Sequence, residues 1–290
     1  MSGIVVVLSG GGGRALAHLG VLEVLEDAGI PIERIVGVSA GAVLGALYGL
    51  YGARPAQERV IEMLEGSELR GATEKIARMQ SARSSLRGRI RRFFGYARLI
   101  LRQGIVDKRH LMRAMAGLVG SSAFEDLRVP LSVVATDLHT GREVALGSGP
   151  LMKVLAGTSA VPGVFEPVPA GDHLLVDSGD VNVLPVHVAR RYRPAFTLAI
   201  DVSRGKMPPP RLHNGVEVQA RARDAAALML RDEESRLADF VIRPRVLRRD
   251  WSDFTNPEDA FLKGRVAAKR RLARLHAGLC WKEIVPCRTE

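Results

Sequence analysis

The chain has 290 residues, of which 47% are hydrophobic and 25% charged, and this composition predicts a globular protein with a full core. The net charge of +11 favours an anionic partner, but the sequence has no zinc-finger, helix-turn-helix or RNA-binding signature, so we expect no specific nucleic-acid binding. Because no basic segment precedes the first apolar run and two cysteines cannot form a disulfide framework, we predict a cytoplasmic protein with reduced thiols.

The first elements alternate between strand and helix. A continuous apolar run at residues 4–8, stopped by "SGGGG", is typical of a strand buried on both faces, and the leucine spacing at residues 15–28 predicts a helix. A second strand at residues 34–38 leads through "SAG" into a helix rich in glycine and alanine. Two successive units of strand, glycine turn and helix indicate an α/β domain with a parallel sheet.

The remaining elements are expected to complete this domain and to add an extension. Strands are predicted at residues 131–136, 174–176, 196–202 and 239–242, with a basic helical insertion at about 54–120 and a terminal helix near 258–276. The stretch "RGKMPPPRLHNG" is the best candidate for a linker. We therefore predict a main domain at residues 1–203 and a C-terminal extension at residues 204–290 that packs on it.

An uncharged stretch at residues 35–53 is long enough to cross a bilayer. Its first part belongs to the predicted second strand, however, and the glycine-rich helical remainder is too short to span. The better interpretation is a buried central helix.

The same stretch contains a G-x-S-x-G pattern formed by Gly37, Ser39 and Gly41. In such a pattern the serine occupies a strained turn between a strand and a helix, which exposes its hydroxyl, while the flanking glycines relieve crowding. Ser39 is therefore a candidate nucleophile, and the alternative is a serine that only packs in the core.

The glycine turn after the first strand has two interpretations. Backbone amides of consecutive glycines at a helix N-terminus can converge on an oxyanion, which would make this turn an oxyanion hole. The rival is a dinucleotide fingerprint, but that motif needs an acidic residue at the end of the second strand, and this strand ends at a serine. The residues of the turn are Gly10, Gly11, Gly12, Gly13 and Arg14.

A general base for the serine is less obvious from spacing. His18 lies in the first helix, where packing or capping is its expected role, and His173 and His187 stand in no defining motif. The acidic residue with a context is Asp177, in "LLVDSGDVNVLP", directly after an apolar strand and close before a glycine.

At this point the sequence resembles the patatin-like phospholipase family. The similarity runs from about residue 4 to residue 203 and more weakly beyond it. "LSGGGGRALAHLGVLEVLEDAGI" is similar to the family's oxyanion-loop segment and "GVSAGA" to its nucleophile elbow. "PLSVVATDLHTGREV" resembles its middle strand, and "GTSAVPGVFEPV" followed by "LVDSGDVNVLPV" its acid-bearing segment. Four motifs in order are specific where one alone is not.

The resemblance implies a three-layer α/β/α fold with a central, mostly parallel sheet, and hydrolysis of lipid acyl esters of the phospholipase A or lysophospholipase type. It implies a Ser-Asp dyad without a catalytic histidine, with Ser39 as nucleophile, Asp177 as general base and the amides of residues 10–14 as oxyanion hole. No metal or organic cofactor is implied, and the substrate would be a phospholipid or lysophospholipid.

One departure from the family pattern concerns the residue after the acid, which is usually glycine and here is Ser178. If that position requires a positive φ, Ser178 would be strained by roughly 1 kcal/mol or more and would displace Asp177. A lipid-binding or regulatory protein with weak activity is therefore the alternative function.

A basic segment of the insertion is a candidate contact with the inner face of the membrane. In "LRGRIRRFFGYARLILRQG", wound as a helix, an apolar face lies next to a face formed by Arg87, Arg91, Arg98 and Arg102. This pattern suits a helix lying in an anionic lipid surface, and equally a helix that covers the active site with its arginines in solvent.

Overall fold

The computed structural model describes residues 3–66, 103–203, 212, 214–246 and 249–286. The four arginines of the basic segment lie outside these ranges, as does most of the predicted linker. The membrane role assigned to the segment therefore stays a prediction.

The strands of the described ranges form one large sheet and one small pair. In chain order they are β1 (Ile4–Leu8), β2 (Ile32–Val38), β3 (Gly104–Val106), β4 (Leu131–Asp137), β5 (Arg142–Leu146), β6 (Gly163–Phe165), β7 (Val168–Ala170), β8 (His173–Val176), β9 (Thr197–Ile200) and β10 (Phe240–Ile242). The large sheet has the order β10-β9-β1-β2-β4-β8-β7, with β5 also paired to β4, and its first five strands are parallel. Strands β5, β8 and β7 join by antiparallel pairing, and β3 pairs with β6.

The helices of the described ranges flank this sheet. They are α1 (Ala17–Asp27), α2 (Ala40–Tyr51), α3 (Ala53–Glu65), α4 (Lys108–Val119), α5 (Leu151–Thr158), α6 (Val186–Arg190), α7 (Gly215–Leu237), α8 (Pro257–Lys269) and α9 (Leu272–Trp281). A 3-10 turn at Gly12–Leu16 precedes α1, and another, Ser178–Asp180, follows β8.

The side chains of β1 show how the layers are built. Ile4, Val6 and Leu8 belong to the larger apolar cluster, which includes residues of α1, α2, α5 and α8. Val5 and Val7 point to the other face, where they join a cluster that includes residues of α6. Because alternate residues of a strand face opposite sides, a strand covered on both faces is apolar throughout. The three-layer fold predicted from the sequence is confirmed.

Strands β2 and β8 meet on one edge of β4. Val38 of β2 lies opposite Val134 in a parallel pair, and Val176 of β8 lies opposite Thr136 in an antiparallel pair. Strand β5 pairs with the other edge of β4, so β2 and β8 must share one edge. They run in opposite directions along that edge, and their ends face each other on either side of Ala135. The residues that follow the two strands are thereby brought together.

The uncharged stretch forms the end of β2 and the buried helix α2, so the buried-helix interpretation is confirmed. No helix within the described ranges is long and apolar enough to cross a membrane. The expectation of a single terminal helix is wrong, because α8 ends at Lys269 and α9 begins at Leu272. The expectation of reduced thiols is also wrong for Cys280, which is disulfide-bonded.

Candidate active site

The turn between β2 and α2 holds Ser39 in a strained conformation. Its φ is 54° and its ψ is −134°, a region that costs a non-glycine residue about 1–3 kcal/mol. The glycines of the pattern are required by close packing: a Cβ at Gly37 would lie 2.7 Å from the Cα of Ala42, and one at Gly41 would lie 2.5 Å from the carbonyl oxygen of Ser9. Strain of this kind persists only where the surrounding structure imposes it, and it is typical of functional sites.

Ser39 and Asp177 are in contact. The Oγ of Ser39 donates a hydrogen bond of 2.6 Å to Oδ2 of Asp177, although the two residues are 138 positions apart. The other carboxylate oxygen, Oδ1, accepts a 2.7 Å bond from the amide of Gly179, and the Asp177 amide donates to the carbonyl of Ala160. Asp177 is 6% exposed, and its carboxylate faces the serine hydroxyl.

A residue that sequence reasoning missed fixes the backbone of the serine. Thr158, the last residue of α5, is completely buried. Its Oγ1 accepts a 2.8 Å hydrogen bond from the amide of Ser39 and donates a 2.5 Å bond to the carbonyl oxygen of Val134. The only available signal was the stretch "GTSAVPG", in which this threonine follows an apolar helix.

The amides predicted for the oxyanion hole are not all available. Those of Gly10, Gly13 and Arg14 donate to the carbonyl oxygens of Val183, Trp251 and Gly11, respectively. The amides of Gly11 and Gly12 donate no hydrogen bond to any described residue, and both residues line the same cavity as Ser39. The turn also lies next to the serine, since a Cβ at Gly10 would be 3.4 Å from the Cβ of Ser39.

None of the three histidines considered as a base lines this cavity. His18 is fully buried, where its Nε2 lies 2.8 Å from the carbonyl oxygen of Ser9, and burial lowers its pKa to about 4. His173 lies 3.2 Å from a carboxylate oxygen of Asp137.

His187 lies between the carboxylate of Glu143 on β5 and the carboxylate of Glu234 on α7. Its Nε2 is 2.9 Å from Glu143 and its Nδ1 is 2.8 Å from Glu234. Hydrogen bonds to Glu143 and Glu234 raise the pKa of His187 to about 9, against the opposing effect of burial. The charged ring ties α6, α7 and β5 together.

Ser178 is not the strained residue that the sequence suggested. It lies in a 3-10 turn, and it is absent from the described non-glycine residues with positive φ. Its buried hydroxyl forms a 2.7 Å hydrogen bond with the Oγ1 of Thr136 on β4. Because the backbone does not need glycine here, a serine fits beside Asp177 and adds a link to the sheet.

Ser39 and Asp177 line a cavity of about 1570 Å³. One side of it is apolar and is built by α2, α3 and α4, with Leu44, Leu47, Val60, Leu64, Met115 and Leu118. Residues after 202 contribute both polar groups, among them Ser203, Arg223, Arg231, Asp250 and Ser252, and apolar groups such as Trp251 and Phe254. Across the described ranges, no group of three His, Cys, Asp or Glu side chains is placed to hold a metal ion.

The class of protein defined by these features is a mixed α/β protein with a central sheet between helices and a serine paired with an aspartate at the carboxyl ends of two strands of that sheet. The family model described as patatin-like phospholipase matches residues 6–190, and the chain belongs to that family. This is a family of lipid hydrolases.

The chain is also similar to several proteins of known sequence or structure. An uncharacterised NTE family protein of Mycobacterium tuberculosis is 29% identical over 208 residues, covering 72% of this chain and 51% of the relative. The neuropathy target esterase of Drosophila melanogaster is 29% identical over 199 residues, which cover 68% of this chain and 13% of that protein. The structure of VipD from Legionella pneumophila matches 94% of this chain and 67% of its own with a TM-score of 0.50 and 14% identity, which shows the fold alone. The chain spans about half the length of the mycobacterial relative.

Proposed function

We propose that the protein hydrolyses acyl esters of lipids, as a phospholipase A or lysophospholipase, with Ser39 as nucleophile and Asp177 as general base. The observation that carries this proposal is the 2.6 Å hydrogen bond from the Ser39 hydroxyl to the Asp177 carboxylate in the wall of a large, mostly apolar cavity. A nucleophile and a base within hydrogen-bond reach are the first requirement of covalent catalysis.

The first half of the reaction would acylate the serine. As Ser39 Oγ attacks the ester carbonyl carbon, its proton passes to Asp177, and the carbonyl electron pair moves to the oxygen. The amides of Gly11 and Gly12 are the donors proposed to stabilise this oxyanion. When the intermediate collapses, the bond to the alcohol oxygen breaks, and that oxygen takes the proton from Asp177.

The second half would release the fatty acid. Asp177 takes a proton from a water molecule, whose oxygen attacks the acyl carbon on Ser39. The serine oxygen leaves and recovers the proton from Asp177, which regenerates the starting state. The 2.6 Å contact between the carboxylate of Asp177 and the hydroxyl of Ser39 supports this role, because a general base must lie within hydrogen-bond reach of the proton it takes.

The shape and polarity of the cavity support a lipid as substrate. The apolar side between α2, α3 and α4 suits an acyl chain, and its burial there would contribute about 0.8 kcal/mol per methylene group. The polar groups of the lining, such as Arg223, Arg231 and Asp250, suit the alcohol part of the ester. Ser39 lines the same cavity. Its hydroxyl is therefore available to attack the ester bond that joins the acyl chain to the alcohol part.

The test is covalent labelling by a fluorophosphonate probe combined with a lipid assay. The wild-type protein is expected to be labelled and to release free fatty acid from phospholipid or lysophospholipid, and Ser39→Ala is expected to lose both. A folded wild-type protein that binds lipid but is neither labelled nor active would instead support a lipid-binding or regulatory role.

A further inference from the structure

The glycine turn at residues 10–13 is held in place by a loop from the C-terminal extension. This loop comprises residues 250–256 and is called here the 250–256 loop. The carbonyl oxygen of Trp251 accepts a 2.7 Å hydrogen bond from the amide of Gly13. The loop lies beyond residues 6–190, which the family model matches, so it is a separate contribution of this chain to the site.

The two backbones are as close as glycine allows. A Cβ at Gly12 would lie 2.0 Å from the carbonyl oxygen of Trp251, and a Cβ at Gly13 would lie 1.9 Å from that of Asp253. Gly12 also has a φ of 56°, in the left-handed region. A shift of the 250–256 loop toward the glycine turn must therefore move the turn, and a shift away from it removes the hydrogen bond to the amide of Gly13.

The side chain of Arg249 binds several backbone carbonyl groups of the 250–256 loop. The guanidinium of Arg249 donates to the carbonyl oxygens of Asp253 (3.3 Å), Thr255 and Asn256 (3.0 Å). It also lies 3.5 Å from a carboxylate oxygen of Asp259 on α8, and its side chain is 9% exposed. A planar guanidinium can hold several acceptors in a fixed geometry, which a lysine ammonium reproduces only in part.

Side chains within the loop add to its rigidity. Oδ1 of Asp250 accepts bonds from the amide and the hydroxyl of Ser252, at 3.0 and 2.9 Å. Oδ1 of Asp253 accepts bonds of 3.0 and 2.6 Å from the amide and the hydroxyl of Thr255. These short-range bonds shape each turn, while Arg249 joins the end of the loop to its beginning.

We propose that Arg249 is a positioning residue for the oxyanion hole: by organising the 250–256 loop, it sets where the amides of Gly11 and Gly12 lie relative to Ser39. This inference rests on the proposed function, since it assigns those amides to the transition state. A small misplacement of such donors is expected to lower the turnover rate by about 10–100-fold while substrate binding stays nearly unchanged.

The experiment compares Arg249→Met and Arg249→Lys with the wild-type full chain. The matched control is Arg265→Met: Arg265 lies on α8, 3.0 Å from Glu23 of α1, and attaches the same extension away from the glycine turn. For each protein, kcat and KM are measured with a soluble short-chain nitrophenyl ester, and hydrogen exchange is measured for the peptide spanning residues 9–16.

Arg249→Met is expected to lower kcat by about tenfold or more with KM nearly constant, Arg249→Lys to lie between, and Arg265→Met to keep the wild-type kcat. Exchange in the 9–16 peptide should be faster in Arg249→Met and unchanged in Arg265→Met.

Unchanged exchange in folded Arg249→Met would overturn the proposal. Losses of kcat that follow the loss of thermal stability across all three variants would also overturn it. The exchange readout needs no catalysis, so it still tests the contact if the wild-type protein proves inactive. If Arg249→Met does not fold, wild-type kcat and wild-type exchange in Arg249→Lys would overturn the proposal in the same way.

Discussion

Thr158 offers the sharpest structural test of how the serine is positioned. Its hydroxyl stands between two elements: it accepts from the amide of Ser39 at 2.8 Å and donates to the carbonyl oxygen of Val134 at 2.5 Å. Thr158 is completely buried, so no water can replace either bond without a rearrangement.

Thr158→Val keeps the shape of the side chain and removes both bonds. Leaving a buried donor or acceptor unsatisfied costs about 1–3 kcal/mol, and both the Ser39 amide and the Val134 carbonyl lose a partner, so we expect the unfolding free energy to fall by about 1–3 kcal/mol for each group. The strained φ of Ser39 would then have one restraint fewer. A displacement of the nucleophile approaching 1 Å is expected to lower kcat by about 100-fold.

The assay is hydrolysis of a soluble nitrophenyl ester, with stability measured in parallel by urea unfolding. Thr158→Ser is the matched control, because it keeps the hydroxyl and removes only a methyl group, and it should retain most of the activity. Full activity in a folded Thr158→Val protein would refute the reasoning, as would equal losses in the serine and valine variants.

Two further predictions concern neighbouring side chains. Ser178→Gly removes the hydrogen bond to Thr136 and adds backbone freedom, so we expect it to lower the unfolding free energy by about 1 kcal/mol or more and not to raise ester hydrolysis. For His187, the pKa in the folded protein, about 9, exceeds the ordinary value of 6.5. The stability that its charge contributes is therefore fully present below pH 6.5 and is lost as the pH rises through about 9. Urea unfolding at pH values on both sides of this window should show that loss in the wild-type protein and not in His187→Gln.

The sequence predicted best those parts of the site that follow directly from one strand. The glycine turn after β1 and the turn at Ser39 after β2 each occupy a junction between an apolar run and a helix, so composition and spacing were sufficient. Asp177 was identified by its context and by resemblance, because its contact with Ser39 depends on β2 and β8 meeting on the same edge of β4, which no local pattern encodes.

The parts that were missed depend on contacts between distant segments. Thr158 touches the serine from 119 positions away, and the 250–256 loop reaches the glycine turn from a region without a motif. The strain expected at Ser178 was wrong because it was inferred from what other sequences have at that position, whereas the backbone there is a 3-10 turn that accepts any residue. No prediction was made for the short strands β5, β6 and β7 or for the helices α5 to α7, and β3 lies in a segment that was predicted to be helical. Short strands are defined more by their pairing and packing than by their own sequence.

The most direct test of the proposed catalytic pair is a double-mutant comparison of kcat/KM at Ser39 and Asp177. Ser39→Ala and Asp177→Asn should each abolish most ester hydrolysis, by roughly 1000-fold or more, and the double variant should be hardly worse than either, because residues that act as a unit lose their effect together. Substitution of His18, His173 or His187 should reduce activity less. Losses that multiply in the double variant, or a folded histidine variant as inactive as Asp177→Asn, would contradict the assignment of Ser39 and Asp177 as the catalytic pair.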